Sequence, residues 1–261
     1  MKKYEAGSTL IVVMALLVII TIIGTLAVKN SLVSLNIATN SQAQQIMMQN
    51  SDAVTFMLED KNKRDQYFAG NGVIGIGRGK AEYKEKELVF CMTNTADKFF
   101  ELDKASIISW EDAKPGPTNN SLGTEGYCNI ENAEHYTSGR KAVLTQVALR
   151  YTSTPTNPFQ MSDRGTDNDS SKSKEGERLM VFSLSLMPAL AAEADPKDVN
   201  DCLSKHLSLA VEPIEAKYDP NNSSEASANA KGKISVSQCL SALNVPHTTH
   251  IIEYKASVGP G

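Results

Sequence analysis

Gly70-x-Gly72-x-x-Gly75 matches, letter for letter, the glycine spacing that cradles a dinucleotide pyrophosphate. That chemistry needs a strand before the glycines and a helix after them. Here a helical pattern precedes them and no βαβ unit surrounds them. Gly79-Lys80 has the ending of a phosphate loop, but Ile74 stands where its first glycine belongs and Ala81 replaces the hydroxyl that binds magnesium. Ser171-x-x-Lys174 has the spacing of an acylated serine and its lysine, yet it sits in a polar loop without partner motifs. Asp163, Asp167, Asn168, Asp169 and Glu175 offer calcium-type oxygens. Counted from Asp167, Lys172 takes the place of the calcium-loop glycine and Arg178 that of its glutamate, so a solvated loop is expected. No G-x-S-x-G occurs, and His135, His206, His247 and His250 are scattered with no C-x-x-C pair nearby. Phe99, Phe100 and Trp110 read as core residues. No catalytic residue, metal or cofactor is expected, and the chain reads as a non-enzyme.

Cys91, Cys128, Cys202 and Cys239 carry the remaining chemistry. An even count in an exported domain favours two disulfides, in one of three connectivities. Sequential pairing would close two loops of equal separation, 37 positions each. By loop entropy each contributes about 4 kcal/mol. Four free buried thiols are the plainer alternative.

Several elements must hold these cysteines. Glu87 to Cys91, Val143 to Thr152, Leu179 to Met187 and His250 to Val258 carry β-prone patterns. Asp195 reads as a helix N-cap with Pro196 in the first helical position, and Val199, Leu203, Leu207 and Leu209 as that helix's buried stripe. Residues 153–177 and 219–233 are polar and loop-like, and the glycine-rich run from Gly70 to Gly79 reads as loop or short strand.

The chain has 261 residues, 41% of them apolar, and a formal charge of −4. Lys2, Lys3 and Lys29 against Glu5 leave +2 in the first thirty residues, so the remainder carries −6, which argues against nucleic acid as a partner. Leu10 to Val28 is a run of nineteen residues interrupted only by Thr21, Gly24 and Thr25. As a helix it reaches about 28 Å, close to the ~30 Å hydrocarbon core of a bilayer. It is longer than the usual apolar part of a cleaved secretory signal and has no obvious small-x-small cleavage site after it. Leu32, Leu35, Thr39, Ala43, Ile46, Asn50, Val54 and Met57 continue at helical spacing, and no proline precedes Pro115, so one helix is expected to run from lipid into water. Lys61, Lys63, Arg64 and Asp65 read as its end.

The leader Met1-Lys2-Lys3-Tyr4-Glu5-Ala6-Gly7, followed by Ser8-Thr9-Leu10 and the apolar helix, resembles the class III signal of type IV pilins and type II secretion pseudopilins. The resemblance covers residues 1–58. It implies that a prepilin peptidase cuts between Gly7 and Ser8, keeps the helix and methylates the new terminus. The chain then divides into a leader, 1–7; a transmembrane and assembly helix, 8–28; its amphipathic continuation, 29–60; and a disulfide-containing periplasmic head, 61–261. The implied fold is α+β, with the long N-terminal helix packed on an antiparallel-sheet head. The protein would be single-pass in the inner membrane with its C-terminus in the periplasm.

One departure matters. Most pilins carry glutamate at the fifth residue after the cut, where it meets a neighbour's terminal amine; here that residue is Val12. The exceptions are the PilX-like minor pilins and K-type pseudopilins, which are thought to sit at the tip with no subunit above them. The resemblance therefore implies a minor pilin that primes pilus assembly and stays at the pilus tip. Its implied partners are the other minor pilins, the major pilin, the assembly platform and a tip adhesin. Type II secretion pseudopilin and non-assembling, signal-anchored periplasmic binding protein stand as the alternatives.

Overall fold

The structure, a computed structural model, describes residues 8–70, 72–77, 81–83, 86–93, 104–110, 117–119, 122–137, 140–152, 177–191, 193–209 and 234–256. The chain divides into two compact units, residues 1–45 and 46–261. One continuous helix, α1 (Ser8–Leu58, 51 residues), belongs to both.

In the first unit the side chains from Leu10 to Val28 are all exposed. The two hydroxyls within this run are satisfied by their own helix. Thr21 Oγ1 donates to the Val18 carbonyl at 2.8 Å and Thr25 Oγ1 to the Ile22 carbonyl at 2.9 Å. The run therefore presents no unbonded side-chain polar group to hydrocarbon, which is the condition for a membrane helix. α1 is long and apolar enough to cross a bilayer once.

The second unit begins with the last turns of α1. Met47, Ser51, Val54 and Leu58 are buried, at spacings of four, three and four that place them on one helical face. Of the expected stripe, Ala43 and Val54 are buried, whereas Met47, Ser51 and Leu58 are buried in place of their neighbours Ile46, Asn50 and Met57. Ile46 is exposed, and Asn50 turns its amide back to the Ile46 carbonyl at 2.8 Å. A count of apolar residues cannot find Ser51, which is buried because its hydroxyl has a partner in the core. Leu32, Leu35 and Thr39 are exposed.

After Leu58 the chain turns at Asp60 into the short helix α2 (Arg64–Phe68), so the charged run at 61–65 ends one helix and starts another. Six strands then form one antiparallel sheet: β1 (Glu87–Met92), β2 (Ser106–Trp110), β3 (Pro117–Asn119), β4 (Leu144–Thr152), β5 (Glu177–Leu186) and β6 (His247–Ala256), in the order β3-β2-β1-β4-β5-β6. Between β5 and β6 lie α3 (Pro196–Lys205) and α4 (Val236–Ala242). The fold is α+β, with the long N-terminal helix packed through its last turns on an antiparallel sheet.

The sheet is covered on both faces. Leu88, Phe90, Val147, Leu149, Leu179 and Val181 point to one side and pack with Val54, Leu58, Tyr67, Val73 and Ile74. On the other side Leu144, Leu184 and Leu186 pack with α3 and α4, and Val89, Ala148 and Phe182 pack with Tyr127 and Leu207. Two covered faces explain why Leu88-Val89-Phe90 and Val147-Ala148-Leu149 are continuous apolar runs rather than strict alternations.

The glycine-rich segment is loop rather than strand in its described part. Gly75–Gly77 is a short 3₁₀ turn, and Val73 and Ile74 before it are buried against the sheet. Gly72 and Gly75 lie directly on the backbone at the end of α2, where a Cβ at Gly75 would overlap the Ala69 carbonyl oxygen. Gly72 and Gly75 thus serve close backbone packing, whereas a Cβ at Gly70 would meet nothing within 4 Å. Gly75→Ala is expected to destabilise the head by about 2 kcal/mol or more, since only a backbone shift relieves the overlap. Thermal denaturation would show it, and a Tm unchanged within 1 °C would contradict the packing role.

Candidate functional site

Gly7 lies outside the described residues, as do Lys2, Lys3 and Glu5. Ser8 opens α1, and Val12 lies in its second turn with its side chain 55% exposed. Gly79, Lys80, Ser171, Lys174, Phe99, Phe100 and the acidic cluster Asp163, Asp167, Asn168, Asp169 and Glu175 also lie outside the described residues. Trp110 is the last residue of β2. No group of three or more potential metal ligands occurs among the described residues. His135 Nδ1 accepts the Asn129 N–H at 2.9 Å, and His206 and His247 lie on the backbone carbonyls of Ile234 and Val245.

The four cysteines form two disulfides, Cys91–Cys128 and Cys202–Cys239, each of sequence separation 37. Of the three connectivities, the sequential one is present. Both bonds lie on the sheet face away from α1. The first ties β1 to the segment before β4, and the second ties α3 to α4. Gln146 on β4 joins the two regions: its carbonyl accepts the Cys128 N–H at 3.0 Å and its amide donates to the Leu203 carbonyl at 2.9 Å. Asn200 on α3 adds a second tie, accepting the Ile130 N–H at 2.9 Å. Asp195 caps α3 by accepting the Lys197 N–H, and Pro196 follows it. Val199 and Leu203 are buried on the helix. Leu207 is also buried, beyond the helix end. α4 begins with a reciprocal capping box between Ser235 and Gln238.

Sequence reasoning missed the polar seam under the end of α1. Ser51 Oγ lies 2.9 Å from Ser185 Oγ on β5, which lies 2.9 Å from Thr145 Oγ1 on β4, and all three residues are buried. His250 on β6 faces Asp52 on the next helical position, with Nδ1 3.3 Å from Oδ1. Buried hydroxyls must pair with one another, so this chain of three fixes the register of the helix on the sheet. Ser and Thr inside apolar runs were the available signal.

A second buried polar group was also missed. Glu87 on β1 is 1% exposed, and its Oε2 accepts the Ser208 N–H at 2.8 Å while Arg150 Nη1 stands 4.0 Å from Oε1. The carboxylate thereby holds the chain just after α3 across the sheet, beside Leu207. Burial raises the Glu87 pKa, and the Ser208 and Leu209 backbone donors and Arg150 only partly oppose this. The folded state therefore binds this proton more tightly than the unfolded chain. The resulting stability is fully present below the ordinary glutamate value and is lost as pH rises through the raised one. Tm measured across this window should show the wild type gaining on Glu87→Gln as pH falls. A gap that instead widens toward neutral pH would contradict the assignment.

Together the described elements define an apolar helix of membrane-spanning length and a disulfide-bonded α+β head to whose core the last turns of α1 belong. No family model, no curated protein and no solved structure matches this chain.

Proposed function

We propose that the chain is a minor pilin: it is stored in the inner membrane through α1, cut after Gly7 by prepilin peptidase, and then used to prime a type IV pilus and occupy its tip. One observation carries the reading. A nineteen-residue apolar run, exposed all round, continues without a break into turns whose side chains Val54 and Leu58 belong to the core of the sheet. Such a helix has two stable environments, a bilayer or a sheath of other apolar helices. Leaving it in water would cost roughly tens of kcal/mol at ~25 cal/mol per Å². Withdrawal from lipid is therefore driven toward assembly with other subunits. The leader before Ser8 supplies the cleavage signal, and Val12 in place of a carboxylate fits a subunit with no neighbour's amine above it. Other minor pilins, the major pilin and the assembly platform are the partners this reading requires, and a tip adhesin is a further one.

The test is immunogold labelling of the head on sheared fibres from cells with and without prepilin peptidase. Label is expected at fibre ends only, and only when the peptidase is present. Label along the shaft would make the chain an ordinary filament subunit, and label confined to membranes in both strains would overturn the proposal.

A further inference from the structure

Where the chain turns back after α1, a cavity of about 260 Å³ opens beside the sheet. Its walls are apolar or aromatic: Leu58, Phe68, Ile74, Leu179 and Tyr254. Two cations, Lys61 and Arg64, and one acid, Glu59, also line it, and all three are exposed. Glu59 is already engaged, because its Oε1 accepts the Tyr254 O–H at 3.0 Å. Burial, with Glu59 alongside, pushes the Tyr254 hydroxyl up to about 12, so it remains the donor of that bond at any physiological pH. Lys61 and Arg64 form no ion pair among the described residues. The result is an apolar cavity whose mouth carries two positive charges, Lys61 and Arg64, against the one negative charge of Glu59.

We propose that this cavity receives the carboxyl-terminal residue of a partner polypeptide, with an apolar last side chain inside and the terminal carboxylate at Lys61 and Arg64. The volume favours that occupant over a lipid. Small-molecule sites usually run to about 300–1,000 Å³, and this cavity holds little more than one large side chain with its backbone, so a long acyl chain would overfill it. The charge favours it too. A guanidinium can take a carboxylate through two parallel hydrogen bonds, and the neighbouring ammonium adds a second charge-assisted donor. Capture of a chain terminus is an established mode of peptide recognition. The inference deepens the assembly reading by giving the chemistry of one partner's end, and its test involves neither processing nor fibres, so either can fail alone.

The experiment uses the full chain in amphipol and fluorescence anisotropy of a labelled peptide, Gly-Ser-Gly-Ser-Leu with a free carboxylate. Saturable binding is expected, at least about tenfold weaker for the carboxamide and for a peptide ending in Ser. Lys61→Gln with Arg64→Gln should weaken binding by a similar factor, while Lys205→Gln, a surface cation on α3, should leave it unchanged. These positions are exposed, so folding is not at risk. Equal binding of acid and amide, indifference to the double substitution, or no saturation would each overturn the proposal. Displacement by octanoate at lower concentration than by unlabelled peptide would also overturn it, making the ligand a free carboxylate.

Discussion

Replacing all four cysteines by serine is expected to leave the head unfolded at 37 °C, and replacing either pair alone to lower its stability by about 4 kcal/mol. The bonds Cys91–Cys128 and Cys202–Cys239 close loops of the same length, so loop entropy assigns them the same contribution. Two such losses, roughly 8 kcal/mol, compare with a total stability of about 5–15 kcal/mol for a domain of this kind. The environment adds to the loss, because Cys128 and Cys202 are buried in one cluster with Leu144, Leu186, Leu203 and Leu240, where a polar hydroxyl would replace sulfur among apolar side chains. Chemical denaturation of the oxidised chain, the two double variants and the quadruple variant measures this directly. Double variants within 1 kcal/mol of the parent would show that packing alone holds α3 and α4 on the sheet.

Val54→Asp is expected to cost about 4 kcal/mol or more and to loosen the end of α1 from the sheet. Val54 is 0% exposed and packs among Val147, Leu149, Leu179 and Val181. The substitution removes about 1.5–3 kcal/mol of apolar burial and puts a carboxylate into an apolar cluster. Amide hydrogen exchange should rise across residues 47–58 and in β4 and β5, while the span from Leu10 to Val28 keeps its protection in a bilayer mimic. Under the proposed function this variant inserts normally but fails to carry the head into a fibre. Phe56→Asp, at a position 77% exposed, controls for charge alone and should stay within about 0.5 kcal/mol of the parent.

Much of this architecture was legible because the residues repeat a period. The apolar run at Leu10 to Val28 and the absence of proline before Pro115 specify a long first helix, and it extends to Leu58. The strands at Glu87, Val143 and Leu179 begin within two residues of their expected starts, and β6 begins three residues early, at His247. Asp195-Pro196 marked the start of α3 because capping is a local interaction. What escaped notice depends on distant partners. β2 and β3 are short, and pairing with β1 defines β2 more than its own sequence does. α4 has seven residues, too few for a helical period to show, although Ser235 and Gln238 carry its cap. Ser51 and Glu87 are buried only because Ser185, Ser208 and Arg150 come from far along the chain. The spacing Gly70-x-Gly72-x-x-Gly75 is visible in the sequence, but the close contact of Gly72 and Gly75 with the end of α2 required the turn at Asp60 to be known.

The central claim is that α1 is trimmed at its inner edge and then exchanges lipid for neighbouring helices. Its most direct test is the intact mass of the protein purified from otherwise identical cells with and without prepilin peptidase. The account predicts a chain starting at a methylated Ser8 in the first and the full leader from Met1 in the second, with Gly7→Ala leaving the leader on in both. A chain that keeps Met1 in both strains, or that loses its leader without the peptidase, would contradict it.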